Sequence, residues 1–380
     1  MIIVKNVEWA KSDFAIACDF DSKKRLAALV GCTDHLQSGY LGKILVIRKA
    51  GAVMMGCQAK TTILAAIVAI AGICAAISNL SADTIPAQHQ VRSEVAQAIR
   101  AVLAIPDGQL DFARAKLTFD KMIDPTIDID AWMQKIAQME QAVRTMAGPS
   151  ASRWEKLGAI QKYIYESGQW NDHRPYVYDL TDPLGKNITN KLLTTYLSTR
   201  RGNCVSMPFL FLILANRLGE HVTASTAPLH IFVRVVDDMT GKSINLEPTN
   251  GAGPQRDVWI RQQFPMTDQA IANGLYLQTL TKKETIALMA SVVLEYYYND
   301  GRYLDVIQSA DVILEYYPKL VAALVTKGSA YGRLVEVNFE QKYPTPNDIP
   351  INLRAEYQRL HEQNYAIIDQ AEALGWRPEE

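Results

Sequence analysis

The chain has 380 residues, 48% hydrophobic and 21% charged, with 39 basic against 40 acidic residues and a net charge of −1. That length predicts two or three cooperating units with ample core, and the balance excludes a disordered chain, a collagen and a polytopic membrane protein. It also excludes a general polyanion-binding surface, so no nucleic-acid partner is expected.

The first 60 residues carry nine Lys or Arg and five acids, a local balance of +4, whereas the remainder stands at −5. Short apolar runs at Phe14–Cys18 and Lys43–Ile47 read as strands within an otherwise motif-free extension. Then comes Thr61–Ala82, without a charge and with an apolar centre at Ile63–Ile77. As a helix it would reach roughly 33 Å, enough to cross a hydrocarbon core of about 30 Å. Three readings fit it. One is a buried core helix. Another is a single membrane anchor with the basic end in the cytoplasm. The third is a cleavable signal peptide starting at Met54 or Met55, with Lys60 as its basic end and Ala76-Ile77-Ser78 as the cleavage site. The last two place everything after residue 80 outside the cytoplasm, periplasmic or membrane-anchored. Of the five cysteines (Cys18, Cys32, Cys57, Cys74 and Cys204) only Cys204 lies in that exported part, so no intramolecular disulfide is expected there.

Beyond Asp83 the apolar residues recur at three- and four-residue spacing. Helices are predicted over Arg92–Leu103, Asp111–Asp120 and Ile129–Thr145, the last stopped by Gly148-Pro149, and another opens at Ser152. Gly168–Asn190 reads as an ordered loop beside a cleft, with Trp170, His173, Tyr176 and Tyr178 among its turn formers.

The chemistry concentrates between Arg200 and Asn250. Arg201-Gly202-Asn203-Cys204 precedes Val205–Leu218, an apolar run too long for a strand. Pro208 is tolerated in a first helical turn. Cys204 is therefore expected at the amino end of a buried helix, where unpaired N–H groups and the dipole favour a thiolate. Gly202 permits the tight loop that brings the thiol to the cleft. Next, Leu229–Val236 alternates as a strand, Asp237–Gly241 turns, and Ser243–Pro248 returns. With the turn centred between Asp238 and Met239, His230 and Glu247 become direct cross-strand neighbours on one face, about 5 Å apart at Cβ. A thiol, an imidazole and a carboxylate so disposed are a nucleophile, its base and the group that orients the base. The alternative is bland: a buried cysteine, a structural histidine and a solvated glutamate.

The blocks Arg201–Ser206, Leu229–Val233 and Asn245–Thr249 resemble the transglutaminase-like domains of the papain-like cysteine superfamily. Leu110–Arg144 is similar to the helical leader of SirB-type proteins, which join such a domain to a tetratricopeptide tail. The resemblance spans roughly Leu110–Leu334 and implies Cys204 as nucleophile, His230 as base and Glu247 as third member. The family usually has Asp at that third position.

After Gln263 helices are expected again at Ile286–Tyr298, Tyr303–Tyr316, Lys319–Leu334 and Leu353–Leu374. Tyr297, Gly301 and Pro318 match positions of one tetratricopeptide unit, while Val306 and Ile313 replace its small residues. Such a tail would hold a protein partner or simply buttress the core. The expected architecture is α+β, a Cys-bearing helix on an antiparallel sheet flanked by a helical leader and a repeat-like helical tail. The units are an extension at 1–60, the anchor or signal at 61–82, a leader at 83–150, a transglutaminase-like core at 151–265 and a tail at 266–380. The expected activity is acyl transfer or hydrolysis at an amide of a peptide or protein. The Cys204 amide is the first choice of oxyanion donor; Asn187, Asn190 and Trp170 are candidates for substrate binding or the oxyanion. No metal-ligand set or phosphate loop is visible, so no metal and no cofactor are expected. The second hypothesis is a non-catalytic module that holds a peptide or protein in the cleft and the repeats.

Overall fold

The structure is a computed structural model that describes residues 93–378 except 238 and 241, together with two paired dipeptides near the amino terminus. In that pair Val46–Ile47, the end of one expected strand, runs antiparallel to Val4–Lys5. The other expected strand, Phe14–Cys18, and the segment Thr61–Ala82 lie outside the described residues.

The architecture is mixed helix and sheet, as the sequence pattern predicts. Four leader and flanking helices come first: α1 (Glu94–Leu103), α2 (Phe112–Ile123), α3 (Ile129–Ala147) and α4 (Arg153–Tyr165). Each starts on a side chain that accepts a first-turn N–H: Ser93, Asp111, Asp128 and Ser152. At Ser152 the partnership is reciprocal, because Glu155 returns a carboxylate to the Ser152 amide, 2.7 Å away. Gly148, at φ 92°, ends α3 in the left-handed region.

Two further helices, α5 (Leu193–Thr199) and α6 (Ser206–Arg217), lead into the sheet. Every residue of α6 from Ser206 to Ala215 is buried, as befits a helix apolar on all sides. It lies between the other helices and a four-stranded antiparallel meander, β1 (Val222–Ala227), β2 (His230–Val236), β3 (Ser243–Glu247) and β4 (Gly253–Gln255), in spatial order 1-2-3-4. Strand β1 was not foreseen: Val-Thr-Ala-Ser-Thr-Ala lacks the bulky alternation that marks β2.

The two faces of the sheet differ. Ile231, Val233, Val235 and Leu246 join α6 in the main core. On the other face Phe232 joins a smaller apolar cluster with Ile260, Phe264, Leu275 and Leu277. That cluster is built by α7 (Asp257–Gln263), α8 (Asp268–Ala272) and the residues after them. Arg234, buried on the same face, donates to Asn245 Oδ1 and Asp257 Oδ1, both at 2.7 Å, and to the Leu277 carbonyl.

The tail consists of α9 (Lys282–Asn299), α10 (Tyr303–Tyr316), α11 (Val321–Val335) and α12 (Arg354–Ala373), packed in sequence order. The α9–α10 turn uses Gly301 at φ 76°. Leader and tail meet: α1 packs on α10 and α2 on α9, and one apolar cluster runs from Val95 through α6 to Ala330. Among the described residues no helix is long and apolar enough to cross a membrane.

Candidate active site

The thiol arrives on a loop pressed hard against α5. A Cβ on Gly202 would stand 2.6 Å from the Tyr196 ring and 2.8 Å from Met207 Cγ, so glycine is required there by close approach. Asn203 then caps the coming helix: its Oδ1 accepts from the amides of Val205 and Ser206 at 3.0 and 3.2 Å. Cys204 sits between them, just outside the first helical residue, and is 6% exposed. Pro208 falls in the first turn, as expected.

His230 is the first residue of β2, after a two-residue turn, Pro228-Leu229, that closes the β1–β2 hairpin at the Ala227–His230 pair. Proline suits the first turn position, while the second requires positive φ and ordinarily takes glycine. Leu229 holds it at φ 54°. The strain stands beside the nucleophile, for Cys204 Sγ lies 3.6 Å from the Leu229 carbonyl. A thiol makes that contact as donor; a thiolate gives it up.

The expected register needs correction. Val233 opposes Leu246 and Arg234 opposes Asn245, two residues away from the predicted pairing, so His230 and Glu247 are diagonal rather than direct neighbours. The cause is the turn. Asp237 Oδ1 accepts from the amides of Met239 and Thr240 at 2.8 and 2.9 Å, and the Asp237 amide donates to the Lys242 carbonyl at 2.9 Å. This leaves four residues in the loop instead of two. A slip of two preserves the face, and the longer Glu side chain spans the diagonal. His230 Nε2 and Glu247 Oε2 are 2.7 Å apart.

The other carboxylate oxygen is held as well. Glu247 Oε1 accepts from the Thr249 hydroxyl at 2.6 Å and from the Thr249 amide at 3.1 Å. Phe264 lies flat on the imidazole, with centroids 4.2 Å apart and planes 13° apart. His230 and Glu247 are 3% and 2% exposed. Burial pulls the ring toward its neutral form, but the Glu247 carboxylate and the adjacent Cys204 sulfur outweigh it, so the pKa is pushed up to about 10. With Nε2 on Glu247, Nδ1 is the nitrogen left to face sulfur; it is buried and has no hydrogen-bond partner.

The three remaining candidates carry hydrogen bonds of their own. Asn187 Oδ1 accepts from the amide and hydroxyl of Thr189 at 3.1 and 2.8 Å. Asn190 Nδ2 donates to Asp182 at 2.8 Å, bracing the same loop. Trp170 donates to the Lys162 carbonyl at 3.3 Å and lines a hollow with Gln138, Ala142 and Met146 of α3. None of these bonds goes to Cys204, His230 or Glu247, although the Asn190 carbonyl accepts from the Ser206 hydroxyl at the start of α6, 3.2 Å away. Thr249 and Phe264 were not foreseen. The dipeptide Pro248-Thr249 carried a usable signal, since a carboxylate often caps the short helical turn that a proline opens. Phe264 carried none, because its meeting with His230 is tertiary. Among the described residues no cluster of His, Cys, Asp or Glu is placed to hold a metal ion.

Residues 130–291 match the family model Transglut_core2, described as the transglutaminase-like superfamily. The match contains Cys204, His230 and Glu247 and the whole sheet. No curated protein and no solved structure matches the chain.

Proposed function

Taking residues 130–291 as a transglutaminase-like domain, we propose that it performs cysteine-dependent acyl transfer or amide hydrolysis on a peptide or protein. The observation that carries this reading is the 2.7 Å contact between Glu247 and His230, in a ring whose pKa rises to about 10 and whose other nitrogen is unpaired. The ring takes the proton that sulfur gives up as it attacks, and Glu247 stabilises the imidazolium. The Cys204 thiolate attacks the amide carbonyl, forming a C–S bond and an oxyanion. The Cys204 N–H, left out of the Asn203 cap, donates to that oxyanion. Collapse breaks the C–N bond, and the imidazolium protonates the departing amine. The neutral ring next takes a proton from water or from an acceptor amine, whose attack releases the acyl group and restores the thiolate.

The test is trapping. Full-length protein is incubated with a glutamine-containing peptide library and quenched in acid, and the Cys204 peptide is then weighed. An acyl adduct absent from Cys204→Ser supports the proposal; the same library leaving Cys204 unmodified under all conditions overturns it.

Burial of Cys204 at 6% and His230 at 3% favours the second reading, a module that binds without turnover. The same library separates them: retention of a peptide with no adduct marks the binder. A SirB-type organisation, with the tail holding a protein partner, draws support from the successive helices α9 to α11. Export draws support from the charge-free stretch Thr61–Ala82 behind a basic leader. Fractionation with sequencing of the mature amino terminus tests it, and a cytoplasmic chain that begins at Met1 rules it out.

A further inference from the structure

An acyl group cannot reach both Cys204 at 6% exposure and His230 at 3% unless a covering layer moves. The layer against the imidazole is Phe264, on a strap that runs between two anchors. At one end Asp257 takes hydrogen bonds from Arg234 and Asn245, each 2.7 Å. At the other the Leu277 amide donates to the β1 carbonyl of Thr226 at 2.9 Å. Gly274 at φ 67° and Leu277 at φ 58° both lie in the left-handed region, so the backbone reverses beside that second anchor.

Between the anchors, α8 is gripped by the end of the chain. Thr267 Oγ1 donates to the Gly375 carbonyl at 2.8 Å, and Gln269 Nε2 to the Ala373 carbonyl at 2.9 Å. Asn273 Nδ2 donates to the carbonyls of Ala373 and Leu374 at 3.3 and 3.2 Å. Leu374 and Trp376 pack on the apolar cluster that contains Phe264. The fit is close: a Cβ on Gly375 would stand 2.4 Å from the Ala270 nitrogen, and Gly375 itself sits at φ 104°.

We propose that residues 258–276 form a gate over the Cys204–His230 pair, and that the carboxy-terminal segment 373–377 is the latch that holds it shut. Release of the latch lifts Phe264 from the ring and opens the nucleophile; docking of the latch closes it. The latch sits on the carbonyl end of α12, where Gln269 and Asn273 satisfy the Ala373 and Leu374 carbonyls that the helix itself leaves open and Thr267 satisfies that of Gly375 just beyond. A partner that caps those carbonyls in their place, or draws Trp376 away, switches the domain on. This rests on the nucleophile reading only in its consequence for turnover, since the gate is a matter of access.

The test is the rate of iodoacetamide labelling at Cys204, read on its own peptide by mass spectrometry in the full-length protein at constant pH. Gly375→Ala forces the latch off Ala270 and should raise the rate about tenfold. Trp376→Ala, which removes packing without strain, should raise it several-fold. Both effects should appear at urea concentrations far below the unfolding midpoint, which separates gating from global unfolding. Labelling unchanged in both variants overturns the gate. The nucleophile reading is judged separately, by the effect of His230→Ala on the pH profile of the same reaction. A gate that opens onto a thiol indifferent to His230 leaves the gate standing and removes the chemistry.

Discussion

Among the described residues two charge pairs are buried on both sides, and they differ in what surrounds them. Lys116 and Asp120, one turn apart on α2, are both fully buried and bonded to each other. Each partner is also tied to backbone: Lys116 Nζ donates to the Lys191 carbonyl at 3.2 Å, and Asp120 Oδ2 accepts from the Leu193 amide at 2.8 Å. That pair pins the loop before α5 to the leader. The His230–Glu247 pair is as deeply buried, yet it is left incomplete, with Nδ1 unbonded beside a sulfur and an aromatic ring over its face. A buried pair tied to backbone through both partners holds structure together; one with an open ring nitrogen beside a nucleophile is set up to move a proton.

The comparison breaks most sharply at the first pair. Lys116→Met leaves Asp120 buried without its counter-charge, whose carboxyl burial already pushes toward the neutral form. Such a loss should cost about 3–5 kcal/mol in urea unfolding, with the pH profile of Cys204 labelling unchanged. A double change to Met and Leu should recover most of the loss.

Glu247→Gln should act the other way round. Labelling at pH 6 should fall about a hundredfold, equivalent to about 2.7 kcal/mol, because the imidazolium loses its partner. The stability curve should change shape too. A ring whose folded pKa is raised from 6.5 to about 10 contributes stability that is whole below 6.5 and is lost as pH climbs through about 10. Urea midpoints of the parent protein should therefore decline over that window, and those of Glu247→Gln should decline less.

Thr249→Ala deletes the hydroxyl that fixes the second oxygen of Glu247 at 2.6 Å. A hydrogen bond to a carboxylate of about 1.5 kcal/mol makes this roughly a tenfold loss of labelling, with Thr249→Ser restoring it. The smallest effect belongs to the turn. Leu229→Gly relieves a left-handed leucine and should raise stability by about 1 kcal/mol in thermal unfolding. The rate of Cys204 labelling should not fall, because the Leu229 carbonyl accepts from the thiol and is given up by the thiolate.

Local signals carried far into this fold. Helix starts were legible at Ser152, where the capping box is written in four residues, and α10 runs over Tyr303–Tyr316 as its periodicity predicts. The shared face of His230 and Glu247 was legible through parity, although the loop length was not, because an Asp side chain rather than a Gly pair sets that turn. What could not be read were meetings between distant segments. Lys116 and Asp120 look like a solvated i,i+4 pair in sequence, and only tertiary packing, with Lys191 and Leu193 bonded to them and Phe209 of α6 near Lys116, buries them. Phe264 looks like one more apolar residue, and its place over the imidazole depends on a strap whose anchor, Asp257, is 23 residues from Arg234.

The most direct test compares the rate of Cys204 alkylation across pH 4–9 in the parent protein and in His230→Ala. If sulfur and imidazole share a proton as argued, the parent should keep reacting on the acid side of neutrality, and the variant should react only as the solution turns alkaline. Superimposable profiles for the two proteins would contradict the account.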